Sequence, residues 1–70
     1  MKFNVFGRLV EVVRCSGQWH AYYLGVEGKK RSAQDIIIAS DIEEQDIAQY
    51  LEDLCHEWAT EKNNWVRRLT

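Results

Sequence analysis

Cysteine is scarce in this sequence, and long apolar runs are absent from it. The 70 residues include two cysteines, Cys15 and Cys55, too few for the disulfide scaffold that stabilises many small secreted domains. Residues 1–4 do not begin the apolar stretch of a signal peptide, and charged residues interrupt every segment that would otherwise span a membrane. We therefore expect a cytoplasmic protein that does not contact a membrane.

Motifs that carry catalysis or hold a cofactor are also missing. The sequence contains no Gly-rich phosphate loop, no Ser-His-Asp set and no pair of catalytic carboxylates. Cys55 and His56 are adjacent, so on a helix they point about 100° apart and cannot act together as nucleophile and base. Asp53 and His56 share a helix face, but a metal site there needs further ligands from a second element. The sequence thus predicts no enzyme, no metal and no cofactor.

Lys and Arg are absent from residues 35–61, which carry nine acidic residues. Residues 1–34 have a formal charge of +4 and residues 62–70 one of +3, so the net charge of −2 conceals a strong segregation. Such sorting by segment bears on the choice of partner more than on the fold.

The chain is apolar enough to fold, with 46% hydrophobic residues that include three Trp, three Tyr and two Phe. A domain of this size buries only about 60% of the surface that its unfolded chain exposes. Small domains are often stabilised further by disulfides, a metal or a partner chain. Because the sequence predicts neither a disulfide scaffold nor a metal site, self-association is the expected source of additional stability. We expect one α+β domain over residues 1–70.

Four segments have the alternation or the composition of β-strands. They lie at about residues 2–6, 9–14, 19–24 and 35–39. We expect a three- to four-stranded antiparallel sheet. In the third segment Trp19 and Tyr23 lie on one face and Tyr22 and Leu24 on the other. Because both faces are partly apolar, the sheet should be covered on one side and partly solvated on the other.

Gly7 marks a change in this alternation. The apolar positions are odd-numbered at Phe3 and Val5 but even-numbered from Val10 onwards, so the register shifts by one residue near Gly7. Gly7 and Arg8 could form a two-residue hairpin turn, or Gly7 could mark a bulge in one long strand. We favour the hairpin.

Residues 25–32 contain two glycines and three consecutive cations, Lys29, Lys30 and Arg31, which is typical of a flexible loop. These cations could contact phosphates while Trp19 or Tyr22 stacks on bases, as in sheet-based binders of single strands. Three cations are fewer than a usual basic patch has, and the acidic segment would repel the same backbone. Single-stranded nucleic-acid binding is therefore the alternative hypothesis.

Ser40 begins a helix in the sequence pattern. Ser40 and Glu43 have the spacing of a capping box, and the helix should run over about residues 41–59. A short helical turn is expected in the tail after Thr60. The side of the helix that packs on the sheet is apolar and consists of Ile47, Tyr50, Leu51, Leu54 and Trp58, flanked by Ala48 and Cys55.

The opposite side of this helix is acidic and faces water or a partner. Asp46, Asp53 and Glu57 lie there, and no cation follows until Lys62. We predict a non-enzymatic protein–protein interaction module that forms a homodimer or binds a basic protein partner through these carboxylates.

Three stretches resemble a small family of uncharacterised bacterial proteins. They are KFNVFGR at residues 2–8, AYYLG through EGKKR at residues 21–31, and LCHEWAT at residues 54–60. The resemblance implies a bacterial cytoplasmic protein without an assigned activity. It carries no catalytic or binding residue over to this chain.

Overall fold

The computed structural model describes residues 1–25 and 28–70, so positions 26 and 27 of the predicted loop lie outside the described residues. The described residues form five strands, β1 (Lys2–Val5), β2 (Arg8–Cys15), β3 (Gln18–Leu24), β4 (Lys30–Ser32) and β5 (Val66–Arg68). Within the described residues they form one antiparallel sheet in the order β4-β3-β2-β1-β5. In the part of the chain that the structure describes, one α-helix, α1 (Ile47–Leu54), packs on this sheet, and 3-10 turns at Glu44–Asp46 and His56–Trp58 flank it. The α+β class is confirmed.

Two tight hairpins join the first three strands. Phe6 and Gly7 form the first turn with φ of 50° and 91°, and the turn at residues 16–17 has φ of 52° and 75°. Positive φ at both central positions is the requirement of the hairpin turn whose twist matches the flanking strands. The hairpin at Gly7 is therefore confirmed over the bulge. The turn lies one residue earlier than predicted, because Val5 pairs with Arg8.

The predicted strand at residues 35–39 is wrong. The sheet edge beside β3 is occupied by β4, which falls within the segment predicted to be a loop. Ile36 and Ile38 still reach the core and are 5% and 6% exposed, whereas Ile37 is 73% exposed. Residues 33–43, here called the strap, cross the inner face of the sheet without regular hydrogen bonding to a strand. A run of three isoleucines predicts burial, but it does not decide which segment pairs.

The helix is shorter than the predicted range of 41–59, and the capping box does not form. Glu43 is extended, with φ of −81° and ψ of 155°, and no side chain caps the turn that follows it. Trp19 Nε1 donates to the carbonyl of Ile42 at 2.9 Å, and Arg14 Nη2 donates to that of Ser40 at 3.3 Å. These bonds hold the end of the strap against β2 and β3, so the α-helix begins only at Ile47.

The predicted helical turn in the tail is also wrong. Residues after Thr60 return to the sheet as β5, in which Val66 pairs with Val5 of β1. The backbone N–H of Leu69 continues the ladder by donating to the carbonyl of Lys2 at 2.7 Å. Pairing with β5 satisfies the backbone groups of β1, which would otherwise form an exposed sheet edge.

The core lies between the inner sheet face and the layer made by α1 and the strap. Its buried side chains are Phe3, Val5, Phe6, Val10, Val12, Ala21, Ala33, Ile36, Ile38, Ile47, Leu51 and Cys55. On the helix the buried stripe is centred on Leu51, with Ile47 and Cys55 one turn to either side. This stripe is rotated from the predicted one, so Leu54 is 42% exposed and Tyr50 is half-buried.

The opposite face of the sheet is not covered by any element in the described residues. Leu9 is 45% exposed there, and Tyr22 and Leu24 are half-buried. This surface, the open sheet face, also carries Glu11, which forms an ion pair with Lys30 at 3.3 Å. The expectation of a sheet covered on one side and partly solvated on the other is confirmed.

Candidate functional site

The predicted acidic residues of the helix are exposed, as expected. Asp46 and Asp53 are seven positions apart and lie on one side of the helix with Tyr50, while Glu57 lies in the 3-10 turn that follows α1. Gln49 Nε2 donates to Asp53 Oδ1 at 3.1 Å. Within the described part of the chain, no cation lies within ion-pair distance of these three carboxylates. Their charge is therefore available to a partner.

Two exposed apolar residues, Ile37 and Leu54, are placed near these carboxylates through Tyr50. The hydroxyl of Tyr50 donates to the carbonyl of Ile37 at 2.8 Å and fixes the middle of the strap beside the helix. Leu54 follows Tyr50 by one helical turn. We call the set Ile37, Asp46, Tyr50, Asp53 and Leu54 the acidic–apolar surface. The sequence pattern indicates the carboxylates but not the exposure of Ile37 and Leu54, because it predicts a strand at Ile37 and a core position at Leu54.

The three consecutive cations line one hollow, but the side chains of Lys30 and Arg31 point to opposite faces of β4. Lys30 Nζ lies 4.7 Å from the centre of the Tyr22 ring on the open sheet face, where it also pairs with Glu11. Arg31 lies on the inner side, 5.9 Å from the centre of the Tyr23 ring. Adjacent residues of a strand point to opposite faces, so within β4 the charge of Lys30 lies on one side of the sheet and that of Arg31 on the other.

The predicted base-stacking residues are separated in the same way. Trp19 lies on the covered face, where its indole N–H bonds to the strap and the guanidinium of Arg14 lies 4.7 Å from its ring centre. Tyr22 lies on the open sheet face. Of the predicted nucleic-acid-binding residues, the structure thus places Lys30 against Tyr22 and brings Lys29, Lys30 and Arg31 to one hollow, whereas Trp19 lies on the covered face.

A second group of residues meets at the end of the sheet that holds the first hairpin turn. The guanidinium of Arg8 lies 4.3 Å from the ring centre of Trp58, and the rings of Trp58 and Tyr23 are 6.1 Å apart. Here the chain encloses an open cleft of about 540 Å³, lined by Gly7, Arg8, Leu9, Tyr23, Leu24, Arg31 and Asp35. We call it the arginine cleft. Sequence analysis missed it because its residues are far apart in the chain and share no local pattern.

Asp35 positions Tyr23 at this cleft. The phenolic proton of Tyr23 is shared between the two carboxylate oxygens of Asp35, each 2.7 Å from the hydroxyl. Partial burial, followed by this hydrogen bond and the charge of Asp35, raises the pKa of Tyr23 to about 12. Burial also raises the pKa of the Cys55 thiol, with Asp35 adding to the effect. Cys55 therefore stays protonated and behaves as a small apolar core residue.

The described residues show no group of three His, Cys, Asp or Glu side chains that could hold a metal ion. Asp53 and His56 in particular acquire no third ligand. No helix in the described part of the chain is long and apolar enough to cross a membrane.

One family model matches the chain over residues 1–70, that of a domain of unknown function. The chain belongs to the DUF7661 family. No curated protein and no solved structure matches it. The resemblance to an uncharacterised family is confirmed, while bacterial origin and cytoplasmic location stay predictions.

This DUF7661 chain therefore presents two surfaces of opposite sign. The acidic–apolar surface combines carboxylates with exposed Ile37 and Leu54, and such a mixture favours binding of a macromolecule. The arginine cleft combines guanidinium groups with aromatic rings in a space sized for a small molecule. Neither surface contains an activated nucleophile beside a base.

Proposed function

We propose that this DUF7661 chain is a non-enzymatic interaction module whose acidic–apolar surface binds a basic segment of another protein. The observation that carries the proposal is the exposure of Ile37, which is 73% accessible between two buried isoleucines. A single exposed isoleucine is ordinary, but Ile37 and Leu54 are both exposed beside carboxylates without a described cation, and grouped apolar side chains of this kind favour contact with a partner.

Charge supports a basic partner. Asp46 and Asp53 flank Tyr50 on the helix, and the sequence has no Lys or Arg from residue 35 to residue 61. A partner that places cations against these carboxylates and an apolar side chain against Ile37 and Leu54 would match both the charge and the apolar area.

The same charge disfavours self-association through this surface. A two-fold dimer brings each patch against its own copy, so Asp46 and Asp53 of two chains would face each other. For the predicted homodimer we propose the open sheet face instead, where Leu9 is 45% exposed. The short edge strands are poor alternatives, because β4 consists of Lys30, Arg31 and Ser32 and charged edges resist pairing.

The alternative hypothesis, single-stranded nucleic-acid binding, has weaker support. Its residues on the open sheet face reduce to Tyr22 and Lys30, and Glu11 already neutralises Lys30 at 3.3 Å. Base stacking on Tyr22 would also have to displace Lys30 from the ring.

The proposal is tested by capture from a lysate of the source cell, with and without nuclease, using the whole chain and three variants. Ile37→Ser and the double variant Asp46→Asn/Asp53→Asn should each lose the captured protein. Glu61→Gln removes an exposed carboxylate outside the surface and should retain it. Equal capture by all variants would contradict the proposal, and loss of capture on nuclease treatment would favour the nucleic-acid alternative.

A further inference from the structure

The arginine cleft contains two guanidinium groups whose hydrogen-bond donors are unused by the described residues. Arg14 and Arg68 show the contrast, because Arg14 donates to two backbone carbonyls and Arg68 to Glu44 at 3.0 Å. Within the described part of the chain, the guanidinium groups of Arg8 and Arg31 have neither a hydrogen-bond acceptor nor a carboxylate partner. Both nevertheless line the same cleft.

Aromatic rings hold these guanidinium groups in place. Arg8 lies over Trp58 at 4.3 Å, and Arg31 lies 5.9 Å from the ring centre of Tyr23. A cation held against a ring face loses some of its rotational freedom, while the N–H groups at the edge of the guanidinium plane stay able to donate. The arginine side chains are therefore partly ordered before an anion binds, and binding costs less side-chain entropy.

The one carboxylate of the cleft does not neutralise either arginine. Asp35 directs both of its oxygens at the hydroxyl of Tyr23. Its charge leaves the lining with two cations against one anion. A neighbouring hollow of about 460 Å³ shares Tyr23, Leu24 and Arg31 with the cleft and adds Lys29 and Lys30. The described residues that line these two hollows therefore carry more positive than negative charge, even though Lys30 is paired with Glu11.

We propose that Arg8 and Arg31 bind the phosphate monoester of a small molecule, with Leu9 and Leu24 against the apolar or ring part of that ligand. A carboxylate has two oxygens, which one guanidinium fork can satisfy. A phosphate monoester presents three equivalent oxygens and close to two charges, so it can accept from two forks at once. The proposal is independent of the acidic–apolar surface, because no residue of that surface lines the cleft, but it shares Leu9 with the open sheet face, so a dimer formed there would compete with the ligand.

The experiment is an NMR titration of the whole chain with phenyl phosphate, inorganic phosphate and a 5′-phosphorylated single-stranded oligonucleotide. Phenyl phosphate should move the signals of Arg8, Tyr23 and Arg31 and should bind more tightly than inorganic phosphate. Absence of shifts with phenyl phosphate would overturn the proposal. Equal affinity for phenyl phosphate and inorganic phosphate would overturn the role of Leu9 and Leu24. Tighter binding of the oligonucleotide than of phenyl phosphate would overturn the small-molecule ligand in favour of the phosphorylated end of a nucleic-acid strand.

Arg→Lys variants keep the positive charge but lose the two parallel N–H donors of the guanidinium group. They therefore separate hydrogen bonding to the phosphate from general attraction of anions. Arg31→Lys and Arg8→Lys should each raise the Kd for phenyl phosphate about tenfold, since the two-pronged donor is lost. Arg67→Lys is the matched control on the exposed β5 strand and should change it less than about twofold. Equal effects of Arg31→Lys and Arg67→Lys would overturn the site. The variant at Arg31 stands apart from Trp58 and so keeps the test independent of any loss of folding at Arg8.

Discussion

The arginine cleft and the acidic–apolar surface carry opposite charges and are supported in different ways. In the cleft, Arg8 and Arg31 lie over the rings of Trp58 and Tyr23, and these four residues come from β2, β3, β4 and the turn after α1. On the other surface, Asp53 extends into water from α1, and Asp46 does so from the 3-10 turn directly before it. The arginine geometry therefore depends on the whole fold, whereas the carboxylates need little more than a helical turn.

This difference matters for what each surface can recognise. Groups held by several elements can distinguish the geometry of a small ligand, because their positions are set before binding. Solvated carboxylates beside an apolar side chain favour a class of partner, basic and partly apolar, over one geometry. The comparison can be tested by substituting one residue of the arginine cleft at a time and comparing it with a control substitution outside the cleft.

Removal of Trp58 should have the largest effect. Trp58→Ala deletes the ring that supports Arg8 and packs on Tyr23, and a half-buried Trp should cost about 2–3 kcal/mol of unfolding free energy. The control Leu54→Ala on the acidic–apolar surface, at a side chain that is 42% exposed, should cost about 1 kcal/mol or less. Urea unfolding measures both. Equal losses would mean that the cleft is no better supported than the helix surface.

Substitution of Gly7 should have an intermediate effect. Gly7→Ala places a Cβ in a backbone with φ of +91° and 3.0 Å from Cγ of Asn63, which should cost about 1–2 kcal/mol. Gly17 has φ of +75° with nothing within 4 Å, so Gly17→Ala should cost less, from backbone strain alone. Because Gly7 lines the cleft and Gly17 lies at the other end of β2, phenyl phosphate binding should weaken in the first variant only. A larger loss of stability for Gly17→Ala would contradict this ranking.

The ionisation of Tyr23 should have the smallest effect, confined to alkaline solution. Its pKa is raised from 10.0 to about 12, so the folded chain holds the phenolic proton more tightly than the unfolded chain. This contribution to stability is complete below pH 10 and is lost as the pH rises from about 10 to about 12. Unfolding measured across this range should show the loss, and Tyr23→Phe should reduce it to the part that comes from Cys55, whose pKa burial also raises.

Tyr50→Phe is the matched control, since it removes the phenol of the acidic–apolar surface. The alkaline loss should persist in that variant. If the alkaline loss of stability disappears in Tyr50→Phe and persists in Tyr23→Phe, the hydrogen bond between Tyr23 and Asp35 is not its source.

Much of the first half of the fold could be predicted because its determinants are local. Strands β1 to β3 follow from alternation, and the hairpins follow from glycines that tolerate positive φ. The later segments could not be assigned in this way. Val66 and the isoleucines at 36–38 are equally suited to a strand, and the pairing of β1 with β5 depends on which backbone edge lies nearby.

For the candidate surfaces, too, the features that depend on local sequence could be predicted and those that depend on distant contacts could not. Exposure of Asp46 and Asp53 was predictable from helical periodicity. Exposure of Leu54 was not, because the periodicity defines an apolar arc but the strap and β5 decide which part of that arc meets the core. The contact of Arg8 with Trp58 had no sequence signal at all, since it joins the first hairpin to the turn after the helix.

By itself, the sequence determined an α+β class, the positions of the first three strands, a hairpin at Gly7 and an acidic side on one helix. These depend on side-chain period and on backbone preference, which act over a few residues. Only the tertiary structure decided the strap, strands β4 and β5, the exposure of Ile37 and the assembly of the arginine cleft. Each of these depends on contacts between distant segments, whose energies compete with local propensity and here exceed it.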